Sequence, residues 1–189
     1  ERIEALDVAF LINALHFKAD WATGFDPQTT YRGPFTKADG STIQVDYVNA
    51  DRDFSVAQTA NHILVDIPFK DSTYSISFIL PSASNTNSAW HRSITHETWK
   101  QMYQGMTYGR ALVYFPKLKL AYKNNLIGSM EALGIRAPFD ERSADFTLMG
   151  ASPTGRNIFI KQIQHKAVLE VDEKGAEGAA VTAIGFGIT

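Results

Sequence analysis

The chain has 189 residues, no cysteine, 44% hydrophobic residues and a formal net charge of −2. That length suits one domain with a substantial core, and the near-neutral balance with scattered Lys and Arg excludes a nucleic-acid footprint. The lack of cysteine excludes disulfides, thiolate metal sites and cysteine nucleophiles, and leaves the compartment open. Glu1-Arg2-Ile3-Glu4 is not a charged-then-apolar leader, so no secretion signal is expected in this stretch. Residues 8–16 form a continuous apolar run, the pattern of a central strand buried on both faces. Asn13 interrupts the run and His16 and Lys18 follow, so no membrane span is expected. Asp39-Gly40 signals a turn, and residues 41–47 alternate Ile43, Val45 and Tyr47 as a strand. Further strands are expected over 53–57 and 63–69. Asp71-Ser72 then turns into 74–80, a hairpin closed by Pro81. Residues 82–88 read as a polar loop and 90–105 as a helix or helix pair. Residues 111–120 read as a strand with Pro116 marking an edge or bend. Across 124–133, Leu126, Ile127, Met130 and Leu133 recur at helical spacing, and Gly134 stops that helix. A loop over 151–157 precedes a long strand, Ile158–Val171. Without repeat, low-complexity tract or linker, this order predicts an α+β fold of mostly antiparallel strands with few helices.

Familiar chemistries find little support. His91 and His96 lie five apart beside Glu97, off the three-to-four spacing that one helical face needs, so no metal is expected. His16, His62 and His165 are available as bases, but no Gly-x-Ser-x-Gly elbow supplies a nucleophile. Gly185-Phe-Gly187 lacks the third glycine and the following helix of a dinucleotide site. No catalytic residue and no cofactor are expected, and the chain does not read as an enzyme.

The tail carries the most specific signal. Residues 173–189 follow the strand-like run 167–171 and hold no charge after Glu177. Ala176, Gly178, Ala180 and Thr182 are small, so this face suits passage between two packed strands. Ile184 and Phe186 continue the same parity as bulky apolar residues, as on the buried face of a strand. Asn13 and His165 are polar residues in or beside apolar strands, and an unpartnered burial of either costs about 1–3 kcal/mol. They read either as two separately satisfied core residues or as a joint polar cluster. The first residues lack a cap or turn signal and the last stop inside an extended segment. The sequence is therefore expected to be a fragment of a larger domain, or a domain with trimmed ends.

Glu173-x-Gly175-x-Glu177 followed by small residues resembles the reactive-loop hinge of the serpins, a family that adds its cleaved loop to its own main sheet. Asn13-Ala-Leu-His-Phe-Lys-Ala-Asp-Trp21, His165-Lys-Ala167, the hairpin Ile63–Leu80 and Phe115-Pro-Lys-Leu118 resemble the same family, so the likeness covers nearly the whole chain. It implies that residues 1–189 are part of one serpin domain lacking leading helices and closing strands, with 173–189 as hinge and reactive loop. It implies a multi-sheet fold with the cleaved loop inserted as an extra strand. The hinge would comprise Glu173, Gly175, Ala176, Glu177, Gly178, Ala179, Ala180, Val181 and Thr182. Trp21, Lys117 and Glu173 would form the breach where the loop first enters, with Lys117 and Glu173 as an exposed ion pair over the Trp21 ring. Asn13 and His165 would belong to the shutter polar cluster. The scissile bond would follow Thr189, sixteen residues beyond Glu173. The implied function is suicide inhibition of a serine protease, elastase-like in view of Thr189, with a cysteine protease as a further target class. The alternative is a non-inhibitory carrier or chaperone-like serpin. Ala176 stands where threonine or serine is usual in the family and Gly178 where alanine is, yet neither blocks insertion. The other implied partners are the remaining segments of the same serpin, and the implied location is extracellular or at the cell surface.

Overall fold

The structure, a computed structural model, describes residues 4–81, 94–152 and 154–188. In chain order the strands are β1 (Asp7–Asp20), β2 (Tyr31–Thr36), β3 (Thr42–Gln58), β4 (His62–Pro68), β5 (Ser75–Pro81), β6 (Thr107–Pro116), β7 (Leu118–Asn125), β8 (Ile158–Val171) and β9 (Gly175–Ile188). Among the described residues there are also two α-helices, α1 (His96–Gln104) and α2 (Ile127–Ala132), and two short 3-10 turns. One sheet has the order β1-β9-β8-β7, so the tail strand β9 is interior. In the other sheet β3 takes three antiparallel partners along its length: β2 at 42–47, β6 at 47–56 and β4 at 55–58, with β5 beyond β4.

The chain divides into two units. The first contains residues 1–17, 119–169 and 177–189, and the second residues 18–118 and 170–176. The core of the second is aromatic and aliphatic: Trp21, Val48, Phe54, Leu64, Ile67, Phe69 and Phe115 are all buried. Trp21 stacks on Phe69 with centroids 4.8 Å apart, and Phe25 meets Phe115 edge-on at 5.3 Å. Such pairs add about 0.5–1.5 kcal/mol beyond their buried area. The core of the first unit is smaller, with Ala144, Ile158, Ile163 and Phe186 buried and Phe146 edge-on to Phe186 at 5.2 Å.

Several sequence expectations need correction. The apolar run 8–16 lies in β1, which among the described residues is the outer strand of its sheet, with Leu11, Ile12 and Leu15 60%, 65% and 67% exposed. A continuous apolar run establishes that both faces are apolar; it does not say which residues of this chain cover them. The segments 41–47 and 53–57 are one strand, β3, because Asp51 and Asp53 share an outward parity that the sheet tolerates. The segment 111–120 is two strands in different sheets, divided at Pro116-Lys117. Strand β2 is not among the sequence expectations, and it contains Gly33-Pro34. It pairs with β3 alone, and an edge strand accommodates proline. Helix α2 begins at Ile127 because Asn124 and Asn125 remain in β7, and the Asn125 side chain accepts from the Ile127 N–H at 3.2 Å. It ends as expected, with Gly134 at φ 92°. The loop 82–88 and His91 lie outside the described residues, and the described helical part of 90–105 is α1.

Candidate hinge-docking site

The turn between β8 and β9 is built by Asp172. Its carboxylate accepts the Lys174 and Gly175 N–H groups at 2.8 and 3.2 Å, and its own N–H donates to the Gly175 carbonyl at 3.1 Å. This aspartate turn reverses the chain within four residues. Gly175 then passes so close to β1 that a Cβ there would meet the Ala19 carbonyl and sit 2.8 Å from the Asp20 Cα. Only glycine permits that approach.

The second unit holds this turn by its backbone. The Trp21 indole N–H donates to the Asp172 carbonyl at 2.8 Å, the Phe25 N–H to the Glu173 carbonyl at 2.9 Å and the Trp21 N–H to the Lys174 carbonyl at 2.8 Å. Three successive carbonyls are thus satisfied from the segment that follows β1. Trp21 itself is buried and stacked on Phe69, so the indole donor is fixed by packing.

The Glu173 side chain points into the same site and is 7% exposed. One carboxylate oxygen accepts from the Lys117 ammonium at 2.7 Å and from the Thr30 hydroxyl at 2.5 Å. Thr30 is positioned by the 3-10 turn Pro27–Thr29, which Asp26 caps by accepting the Gln28 N–H and which has proline in its first turn. The Lys117 N–H donates to the Asp46 carbonyl at 2.8 Å, which fixes its place after the Pro116 corner. Burial alone would raise the Glu173 pKa, but bonds from Lys117, Thr30 and its own backbone prevail and hold it below the ordinary carboxylate value. The hydrogen bond to Glu173 in turn raises Lys117, against a smaller opposing effect of burial. The ion pair expected to be exposed therefore has a buried carboxylate. Trp21 joins the site through the Asp172 hydrogen bond and its ring packs on Phe69.

The remaining expected site residues fall along β9. Gly175 and Ala176 are buried, Gly178, Ala179, Ala180 and Thr182 half-buried, and Val181 exposed. Glu177 is exposed, with its carboxylate 3.3 Å from His16 Nε2. His165 Nδ1 lies 2.8 Å from the Thr182 hydroxyl, with the Tyr122 ring 6.1 Å from the imidazole. Asn13 is exposed, and among the described residues no hydrogen bond joins it to His165. Thr189 lies outside the described residues. Sequence reasoning missed Thr30, whose role depends on a tertiary contact, and Asp172, which an Asp-x-x-Gly turn signal would have revealed.

Strand β9 thus lies between β1 and β8, and the turn before it is held by donors from Trp21 and Phe25, both buried. The family profile Serpin (serine protease inhibitor) matches residues 1–189. Serpin B8 of Homo sapiens is 28% identical over 185 residues, covering 96% of this chain and 49% of that protein. Iripin-8 of Ixodes ricinus is 33% identical over 174 residues, covering 91% and 42%. Among solved structures, a loop-inserted cleaved ovalbumin mutant superposes with TM-score 0.89 at 24% identity, covering 98% of this chain and 49% of that one. Cleaved Serpin 42Da gives 0.84 at 28% identity, covering 95% and 48%. The chain belongs to the serpin family and spans about half the length of the curated relatives it matches.

Proposed function

We propose that this chain is the loop-bearing part of an inhibitory serpin, one domain with its remaining segments, which traps a serine endopeptidase as an acyl-enzyme. The observation that carries the reading is β9 in the sheet order β1-β9-β8-β7, an interior place for a hinge sequence of small residues. In this mechanism the protease serine attacks the Thr189 carbonyl, the following amine leaves, and an ester joins the two proteins. Residues 175–188 then enter the sheet and carry the tethered protease along. A strand of 14 residues spans about 46 Å at roughly 3.3 Å per residue. Burial of Phe186 contributes about 1.5–3 kcal/mol to the inserted state. The inhibitor contributes no catalytic group; the chemistry is the protease's own. Thr189 suits a small apolar primary pocket, and cysteine proteases that form acyl-enzymes are a further target class.

Incubation of the full-length protein with a protease panel, including an elastase-like enzyme, tests this reading. An inhibitor gives a detergent-resistant covalent adduct. Clipped product alone, with every protease still active, would instead indicate a carrier or chaperone-like serpin. Ala176→Arg is expected to convert inhibitor into substrate, because Ala176 is buried and a guanidinium there enters the sheet without a partner. Adduct formation undiminished in that variant would sink the insertion mechanism.

A further inference from the structure

Arg52 differs from its neighbours on β3. Asp51 lies on the opposite, outward parity and is gripped by Arg110 through bonds of 3.0 and 3.1 Å. Arg52 shares the inward parity of Val48 and Phe54, both buried. Its guanidinium carbon lies 4.5 Å from the Phe25 ring centroid and 5.1 Å from that of Phe54. One terminal nitrogen donates to the Gly24 carbonyl at 2.8 Å and the other to the Thr23 carbonyl at 2.7 Å. A planar fork that stacks on aromatic rings while binding two adjacent carbonyls requires arginine; lysine is a point donor without that geometry.

The loop held this way is the one that receives the hinge. Phe25, whose ring is packed under the guanidinium, donates its N–H to the Glu173 carbonyl at 2.9 Å. Gly24 faces the same carbonyl, which a Cβ at that residue would meet at 3.6 Å. Arg52 touches neither Glu173 nor its ion-pair partner, so it acts through the loop. The Glu173 carbonyl reaches the Phe25 N–H where the chain reverses at 172–175, the reversal that starts β9.

We propose that Arg52 is a positioning residue for hinge capture, holding the 22–26 loop in the conformation that presents the Phe25 N–H to the incoming Glu173 carbonyl. The proposal rests on the inhibitory reading, in which the kinetic competition is between capture of the reversing hinge and hydrolysis of the acyl-enzyme. A loop that must first order itself loses time in that competition, so more inhibitor is consumed as substrate. The initial attack of the protease, which concerns the loop's far end, is unaffected.

The test compares full-length parent, Arg52→Ala and Arg52→Lys in two measurements. One is the number of inhibitor molecules consumed per protease trapped. The other is the rise in Tm when the loop is cleaved. For Arg52→Ala the stoichiometry is expected to increase about tenfold and the rise in Tm to shrink, with the rate of initial loop attack unchanged. Arg52→Lys is expected to fall between the two, and it carries the test should Arg52→Ala not fold. A purely structural role would lower intact and cleaved Tm alike and leave the stoichiometry as in the parent; that result overturns the proposal. If the parent forms no adduct, it is the inhibitory reading that fails. The cleavage-induced rise in Tm then decides on Arg52 alone, an equal rise in parent and variants overturning it.

Discussion

The turn at 172–175 and the middle of β9 solve different problems with different materials. At the turn, three successive carbonyls are each met by a buried or backbone donor, and one carboxylate oxygen takes both an ammonium and a hydroxyl. Along β9 from 178 to 182 no side chain is larger than valine; Glu177 lies 3.3 Å from His16 and the Thr182 hydroxyl 2.8 Å from His165. The turn is therefore specific, and the strand after it is permissive. Under the proposed mechanism β9 enters the sheet as a strand, and small side chains suit that passage while the specific contacts sit where the strand begins.

That contrast predicts unequal costs, and the largest falls on Gly175. Gly175→Ala is expected to destabilise the loop-inserted protein by about 3 kcal/mol, because the added methyl meets the β1 backbone, which cannot rotate away as a side chain would. Denaturant unfolding of cleaved protein measures this, and a loss under about 1 kcal/mol would break the contrast. Lys117→Ala comes next. It leaves the buried Glu173 carboxylate with Thr30 as its remaining side-chain partner, at about 1–3 kcal/mol, toward the low end because Lys117 is 40% exposed. The same pair sets an acid limit. Since the folded Glu173 pKa is depressed, its stabilisation is fully present above the ordinary value of 4.5 and is lost as pH falls through the folded one. Glu173→Gln should flatten that acid limb of the stability profile, and an unchanged limb would place its origin elsewhere.

Smaller effects belong to the strand. Thr182→Val removes the partner of a half-buried imidazole and is expected to cost about 1 kcal/mol in the cleaved protein. Gly178→Ala should do the opposite. A methyl there meets the Leu169 side chain and Val168 carbonyl at an ordinary 3.6 Å, so reduced freedom of the unfolded chain gains about 0.4–1 kcal/mol. Unfolding midpoints of the cleaved variants give both signs. A stabilising Thr182→Val or a destabilising Gly178→Ala would show that the strand is more specifically packed than its small residues imply.

The sequence disclosed those features that depend on neighbours along the chain. The hairpin 62–81 was marked by Asp71-Ser72, and the end of α2 by Gly134. The ion pair of Lys117 with Glu173 was legible through family resemblance, but its burial was not. A glutamate's exposure depends on what surrounds it, here Thr30 and the segment after Trp21. Strand β2 was hidden because Gly33-Pro34 breaks most strands. Here the missing Cβ leaves room for the Tyr31 and Tyr47 rings, 3.2 Å from where it would stand, and the two rings stack at 5.4 Å. Asn13 shows the converse. Its position in an apolar run suggested burial, and among the described residues it is exposed on the outer strand β1.

The bond from the Trp21 indole to the Asp172 carbonyl makes the hinge observable from within. That indole proton is sheltered by the Phe69 stack on one side and by the turn itself at its donor end. It exchanges with solvent when the turn lets go, so its exchange rate counts openings of the turn in an otherwise folded molecule. A single resonance in deuterated buffer would thus serve as a clock for release of the 172–175 turn, without any label being introduced.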